Sequence, residues 1–358
     1  MNRESQMANG ESSADRPLRL LFWESTARCN LACVHCRRLD VAEEATKDDL
    51  TTEEVRAVLD SAATLGRPIV VFSGGEPLMR SDWEALAGHA KRLGLPTALA
   101  TNGTLIDFAI ARRIAKAGFH RVSVSLDGAD ALTHDAFRGL DGAFDRAIAG
   151  VVELRDAGIP FQINATVAGH NVDQLPQIYA LARSLGAKAL HLFLLVPVGC
   201  GVQIARTHQL APALYEEVLQ WVCDRQGGPL ELKATCAPHY QRVAAQRGMD
   251  YKRSRGCLAG TAVCFVSHKG EVFPCGYLPV RCGSVRDKPL ADVWRDSPVL
   301  AELRDFARLK GKCGACTFKA FCGGCRARAY SATGDYLAEE PACAYTPPNR
   351  TSRPTTDQ

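Results

Sequence analysis

Three cysteines stand close together in the stretch RCNLACVHCRR (28–38). Cys29, Cys33 and Cys36 read C-x3-C-x2-C. In a chain without an export signal, thiols stay reduced, and such a cluster points to metal binding or redox chemistry. A structural zinc site closes with four ligands, commonly in C-x2-4-C pairs. Three thiolates on one loop suit a 4Fe–4S cube, where they hold three irons and leave the fourth for a ligand that is not protein.

The chain has fifteen cysteines. Cys257, Gly270 and Cys275 read C-x12-G-x4-C, with Cys264 between them. Cys313, Cys316, Cys322 and Cys325 read C-x2-C-x5-C-x2-C, and Cys343 closes the set. A zinc ribbon is the alternative here, because C-x2-C pairs suit zinc equally well. Cys223 falls in an amphipathic helical pattern and reads as core. Cys236 lies in LKATCAPHY beside Lys233, His239 and Tyr240, a group that could line a pocket or simply face solvent. Cys200 has no assigned role, and Cys282 is a spare ligand near Cys275.

The elements that must position these residues alternate. Strand patterns run over 18–24, 68–74, 96–101, 121–127, 160–166 and 189–196. Each is short, apolar or β-branched, and bounded by Gly or Pro, as strands buried on both faces of a parallel sheet are. Helix patterns fill the gaps. Thr52 can cap a helix reaching about Leu65, and others lie near 81–93, 107–117, 141–157 and 173–185. Gly66, Gly94, Gly118, Gly158 and Gly186 follow them as left-handed stops. Six β/α units predict an α/β fold, a partial (βα)6 barrel spanning 18–210. Function in such folds gathers at the C-terminal ends of strands. The three cysteines follow strand 1, SGGEP follows strand 2, TNG strand 3 and SLDG strand 4. A bridging segment, 211–255, carries helices near 212–225 and 238–247 and a strand at 230–235. A Cys-rich α+β domain, 256–346, starts with a hairpin turning at Lys269-Gly270. It lacks apolar core of its own and needs metal to fold.

Composition narrows the class. At 46% hydrophobic and 23% charged the chain reads as a soluble globular protein. A net charge of +4 neither demands nucleic acid nor excludes an anionic small substrate. No apolar run reaches membrane-spanning length, and the polar start lacks a signal peptide's apolar core, which predicts a cytoplasmic protein with no membrane or nucleic-acid partner. Residues 1–17 and 347–358 read as disordered tails.

The triad after strand 1, with Gly74, Gly75, Glu76 and Pro77 after strand 2, resembles the radical S-adenosylmethionine (SAM) superfamily. The resemblance implies that Cys29, Cys33 and Cys36 hold a 4Fe–4S cluster whose open iron is chelated by SAM. It implies a ring, here His35, near the adenine. It implies that the backbone of Gly74–Pro77 approaches the methionine amino group, and that Asn102, Ser125 and Asp127 contact ribose and carboxylate. The C-terminal cysteines are similar to the SPASM extension, which carries one or two auxiliary 4Fe–4S clusters. By position, Cys313, Cys316, Cys322 and Cys343 would hold one. Cys257, Cys264, Cys275 and Cys325 would hold the other. The usual pattern has three residues before the last of these cysteines where this chain has Gly323 and Gly324, which puts Cys325 in question.

Within the superfamily, FWESTARCNLACVHCR, FQINATV, HLFLLVPVG, LKATCAPHY and CGGCRARAY together resemble the haem-forming branch, the haem synthases of the sirohaem-dependent pathway. That resemblance implies radical decarboxylation of two propionates of iron-coproporphyrin III, with a reducing donor such as flavodoxin or ferredoxin. Related branches modify other tetrapyrroles or, as peptide maturases, peptides. An anionic tetrapyrrole needs cations, and arginine is favoured because its fork pairs bidentately with carboxylates. The candidates are Arg37, Arg38, Lys233, His239, Arg326 and Arg328, with Tyr240 beside them and Arg28 as a further hook. His191 could ligate haem iron or sit hydrogen-bonded in the core.

Overall fold

The structure is a computed structural model describing residues 16–38, 43–249 and 255–348. Of the tails expected at 1–17 and 347–358, only 16, 17, 347 and 348 fall among them. The chain is already tied down at Arg16, whose carbonyl accepts a hydrogen bond from Trp294 Nε1 at 2.9 Å.

Ten strands form one sheet: β1 (Leu20–Glu24), β2 (Ile69–Ser73), β3 (Thr97–Thr101), β4 (Arg121–Ser125), β5 (Phe161–Val167), β6 (Ala189–Leu194), β7 (Glu231–Thr235), β8 (Val263–Val266), β9 (Glu271–Phe273) and β10 (Gly283–Ser284). Their order across the sheet is β10-β9-β8-β1-β2-β3-β4-β5-β6-β7. From β8 to β7 every pairing is parallel, and only β8–β9 and β9–β10 are antiparallel. All six expected barrel strands form. The hairpin at Lys269-Gly270 forms too, with Gly270 at φ +85°. Its first strand docks beside β1, Leu21 opposite Cys264. Residues 230–235 add β7 at the other edge. The α/β fold is therefore a parallel sheet of six β/α strands, lengthened at both edges by strands that follow them in the chain, β7 at one edge and β8–β10 at the other.

Helices cover one face: α1 (Thr52–Ala63), α2 (Trp83–Arg92), α3 (Phe108–Ala117), α4 (Ala131–Arg138), α5 (Ala143–Asp156) and α6 (Leu175–Leu185). Then come α7 (Gly201–His208), α8 (Pro212–Asp224), α9 (Tyr240–Gln246), α10 (Leu290–Asp296), α11 (Pro298–Arg304), α12 (Gly311–Ala315) and α13 (Arg326–Thr333). The cap of α1 is Thr51 rather than Thr52: its hydroxyl accepts from Glu54 N, and the Glu54 carboxylate accepts from Thr51 N, a capping box. The five helix-stop glycines all have positive φ. The main core lies between sheet and helices, with Trp23, Phe72 and Trp83 among its largest buried side chains.

Candidate active site

The cysteine loop leaves β1 and is held at its base by close backbone contact with the loop after β2. Gly75 N donates to Thr26 O at 2.9 Å, and Glu76 N to Arg28 O at 2.8 Å. A Cβ on Gly75 would stand 2.0 Å from the Arg28 carbonyl oxygen; on Gly74, where φ is +139°, it would meet Ser25 N at 2.9 Å. The closeness demanded by these glycines is thus loop against loop. Glu76 turns inward. Fully buried, its carboxylate accepts from Thr101 Oγ1 and Asn102 N at 2.8 Å and from Leu78 N at 3.2 Å. Burial pushes its pKa up to about 7, opposed by those donors. Pro77 opens the short 3-10 turn 77–79 behind it.

Further braces fix the loop from the side. Asn102 Nδ2 donates to Asn30 Oδ1 at 2.9 Å, and Asn30 Nδ2 to Thr104 Oγ1 at 2.8 Å. Cys200 N donates to Cys36 O at 2.8 Å. Asn102 is therefore spent on the loop, and Ser125 ends β4, paired in register with Asn164. Arg28 serves the loop clamp through its carbonyl.

Charge beside the thiols comes from a residue that sequence reasoning missed. Arg138, the last residue of α4, places Nη1 3.8 Å from Cys33 Sγ and Nη2 2.6 Å from Asp127 Oδ2. Both partners of this pair are buried, Asp127 fully. Burial would raise Asp127, but the Arg138 charge overcomes it and holds the carboxyl below its ordinary range. His35 lies 3.5 Å from the same carboxylate and stacks on Phe137 at 3.9 Å between centroids, with His170 stacked beyond at 3.7 Å. Burial lowers His35 to about 3, so the ring is neutral. Arg38 Nε reaches Cys36 Sγ at 3.4 Å and its Nη1 donates to Ala27 O. Cations beside thiols favour the thiolate, the form that binds metal. Three free thiols, two guanidiniums and buried unpartnered atoms on His35 (Nδ1) and Arg138 (Nε) make a donor set that fits a cluster with an open iron and a polar ligand.

A cleft of about 210 Å³ opens beside this loop. Arg37, Arg38 and Glu24 line it together with Phe265, His268, Cys275 and Tyr277. Arg37 lies over the Phe265 ring at 4.4 Å and 3.8 Å from Glu24. Glu24, at the end of β1, accepts from His268 Nδ1 at 2.8 Å, and His268 Nε2 is buried with no hydrogen-bond partner. His268 and Glu24 carry no sequence signal, because their pairing depends on β8 lying beside β1.

The other expected cations lie elsewhere. Arg328 is buried and shared between Glu340 (3.2 Å) and the carbonyls of Leu194, Leu195 and Cys236 (3.3, 3.3 and 3.1 Å), clamping the end of β6 to the Cys-rich domain. Arg326 donates to the Tyr336 and Ala338 carbonyls and stands 3.8 Å from Cys313 Sγ. His239, buried, packs edge-on against Tyr215 and lies 3.8 Å from Glu340. Tyr240 packs against the main core near Cys223. Lys233 is exposed on β7 opposite His191, whose Nδ1 is bonded to Gln162 at 3.0 Å. None of these five residues lines the Arg37 cleft: the Arg326 and Arg328 guanidiniums are bonded within the protein, both ring nitrogens of His239 are buried without a hydrogen-bond partner, and Lys233 faces water.

The C-terminal thiols divide. Cys313, Cys316, Cys322 and Cys343 line one small cavity, as their order implied. Cys257, Cys275 and Cys325 form part of a second group, but Cys264 does not join them. It is fully buried on β8 in the main core, where its thiol neighbour is Cys282. The alternation of β8 places it on the face turned toward the helices. Cys282 is likewise no spare ligand for Cys275. Cys223 is core, as expected. Among the described residues no three His, Cys, Asp or Glu side chains converge on a point where one metal ion could sit. A cube differs from a single zinc in this respect, since each thiolate takes its own corner iron.

A sheet of parallel strands with a three-thiol loop at the end of β1, joined to a second thiol-bearing domain, defines a class. Residues 23–182 match the radical SAM superfamily and residues 257–317 the SPASM iron–sulfur cluster-binding domain. The chain belongs to the radical SAM superfamily, and it binds SAM and 4Fe–4S clusters. Within that superfamily it is 47% identical over 342 residues to the AdoMet-dependent heme synthase of Methanosarcina barkeri, covering 92% of this chain and 97% of the relative. It is 45% identical over 343 residues to the protein of the same name from Nitratidesulfovibrio vulgaris, with 92% and 93% covered. Among solved structures, native anSMEcpe with bound AdoMet superposes with a TM-score of 0.70 at 22% identity, over 91% of this chain and 94% of that one. Among the described residues no helix is long and apolar enough to cross a membrane.

Proposed function

We propose that the chain catalyses the last step of haem formation from iron-coproporphyrin III, converting two propionates to vinyl groups. The observation that carries this reading is the cleft walled by Arg37 and Arg38 directly beside the cysteine loop, in a chain with heme synthases among its relatives. The chemistry balances simply. Each propionate gives up a hydrogen atom from the carbon beside the ring, carbon dioxide from its far end and one electron, which an auxiliary iron–sulfur cluster would accept when bound, and a double bond remains. When bound, the N-terminal cluster and SAM supply the 5′-deoxyadenosyl radical that takes the hydrogen atom. A small reduced carrier such as flavodoxin or ferredoxin is the proposed electron donor.

The chain's own residues bind, orient and exclude water. Arg37 lies flat on Phe265, so its fork is pre-positioned for a carboxylate. Phe265 and Tyr277 line the cleft and supply it with aromatic surface. Binding at this wall places a propionate near the loop that carries the triad, and positioning of this kind is worth several orders of magnitude.

The test is anaerobic incubation of the reconstituted protein with SAM, a strong reductant and iron-coproporphyrin III, read by mass spectrometry. Two successive carboxyl losses per porphyrin are expected. Binding without any loss under strong reduction overturns the reading. Arg37→Ala is expected to raise KM by about ten- to a hundredfold, the loss of one charged hydrogen-bonding group of roughly 1.5–3 kcal/mol. SAM cleavage in the absence of porphyrin should stay within about twofold, because the Arg37 side chain braces the cleft wall rather than the triad.

A further inference from the structure

The second thiol group has three members from the expected set and lacks the fourth. Cys257 lies between α9 and β8, Cys275 follows β9, and Cys325 caps α13. The vacancy in the sequence pattern is filled in space by Cys236. This residue leaves β7, at the opposite edge of the sheet from β9. It packs with Cys275 and Cys325 in one small apolar cluster with Leu278 and Leu303, apart from the main core. Gly256 brings Cys257 to the same place: a Cβ there would meet Pro238 Cβ at 2.7 Å, two residues beyond Cys236.

The backbone at Cys236 is unusual. Among the described residues it is the one non-glycine with positive φ, +55°. Such a conformation costs free energy and persists only when its surroundings enforce it. Two buried donors do so: Tyr215 Oη bonds the Cys236 carbonyl at 3.0 Å and Arg328 Nη2 at 3.1 Å. Burial first, then the neighbouring thiols Cys325, Cys275 and Cys257, make Cys236 reluctant to ionise. Burial and Cys257 likewise push Cys275 up to about 12. Four thiols from four separate segments are thus brought together, as the four corners of a cube require.

We propose that Cys236, Cys257, Cys275 and Cys325 hold a second auxiliary 4Fe–4S cluster, with Cys236 in the place that sequence order gives to Cys264. Each thiol gives up its proton as its sulfur binds a corner iron. Cys275 lines the cleft wall, so this cluster borders the cleft, whereas the Cys313 group opens on a different cavity.

The proposal is tested on the full chain carrying Cys29, Cys33 and Cys36→Ala, reconstituted anaerobically with iron and sulfide and read by metal analysis with Mössbauer spectroscopy. This background should hold about eight irons and eight sulfides, two clusters of four. Adding Cys236→Ala should either leave about four of each or, where Cys257, Cys275 and Cys325 retain a cube with one open iron, keep about eight with an altered electron paramagnetic resonance signal of that cluster; adding Cys264→Ala should leave about eight and the signal unaltered. Cys236→His, which keeps a ligand, should retain about eight irons and shift the electron paramagnetic resonance signal of one cluster. Undiminished iron together with an unaltered signal in Cys236→Ala, a fall to about four in Cys264→Ala, or zinc in place of iron overturns the proposal. So does a Cys236→His spectrum identical to the background, which decides the matter even if the alanine variant does not fold. Because no porphyrin is used, failure here is separate from failure of the tetrapyrrole reading.

Discussion

Gly75→Ala is expected to cut SAM cleavage about a hundredfold, the loss that an ångström-scale misplacement of reacting groups can cause. The new methyl would stand 2.0 Å from Arg28 O, a backbone atom with no rotamer to yield. The 26–28 segment must therefore lift off the 74–76 loop, breaking the Gly75 N–Thr26 O and Glu76 N–Arg28 O bonds. Cys29 is the next residue and moves with it. The auxiliary thiols are far along the chain and should keep their iron. The check is single-turnover formation of 5′-deoxyadenosine alongside iron content. Wild-type cleavage would show that the loop contact is dispensable.

Arg328→Leu is expected to destabilise the folded chain by about 3–5 kcal/mol, the range for removing one partner of a buried ion pair. Glu340 would be left fully buried with His239, itself neutral because burial lowers it to about 4. Three carbonyls, of Leu194, Leu195 and Cys236, would lose a donor together. The double change Arg328→Leu with Glu340→Leu should recover part of the loss, because no charge then remains buried alone. The transition midpoint in urea, followed anaerobically on the loaded protein, measures both. A single variant as stable as wild type would mean that water reaches Glu340.

Much of this was legible in the sequence. The six inner strands are continuous apolar runs, and the glycines after the helices mark their ends. The three-thiol loop and the Cys313 group are contiguous enough to read as sites. What was not legible depends on distant pairing. Arg138 was missed with its helix, since eight residues are too short a run for a helical pattern to stand out. Its signals were Asp130, whose carboxylate accepts from Thr133 N, and Gly139 in the left-handed conformation. Cys264 was misplaced because ligand order along the chain was taken for order in space. The arginines of CRARAY look like hooks for an anion, yet burial and carbonyl partners make them internal ties.

The neighbour of β1 on one side is β2, some fifty residues on; on the other it is β8, residues 263–266. During synthesis the ribosome releases the first long before the second, by about 10–40 s at 5–20 residues per second. Throughout that interval the apolar strand LLFWE has one open edge, the kind that pairs with other chains. The strand that launches the triad also waits for the domain bearing the auxiliary thiols. Maturation of the N-terminal site is therefore coupled to completion of the chain, and a nascent chain halted before residue 263 leaves an adhesive edge instead of a half-working enzyme.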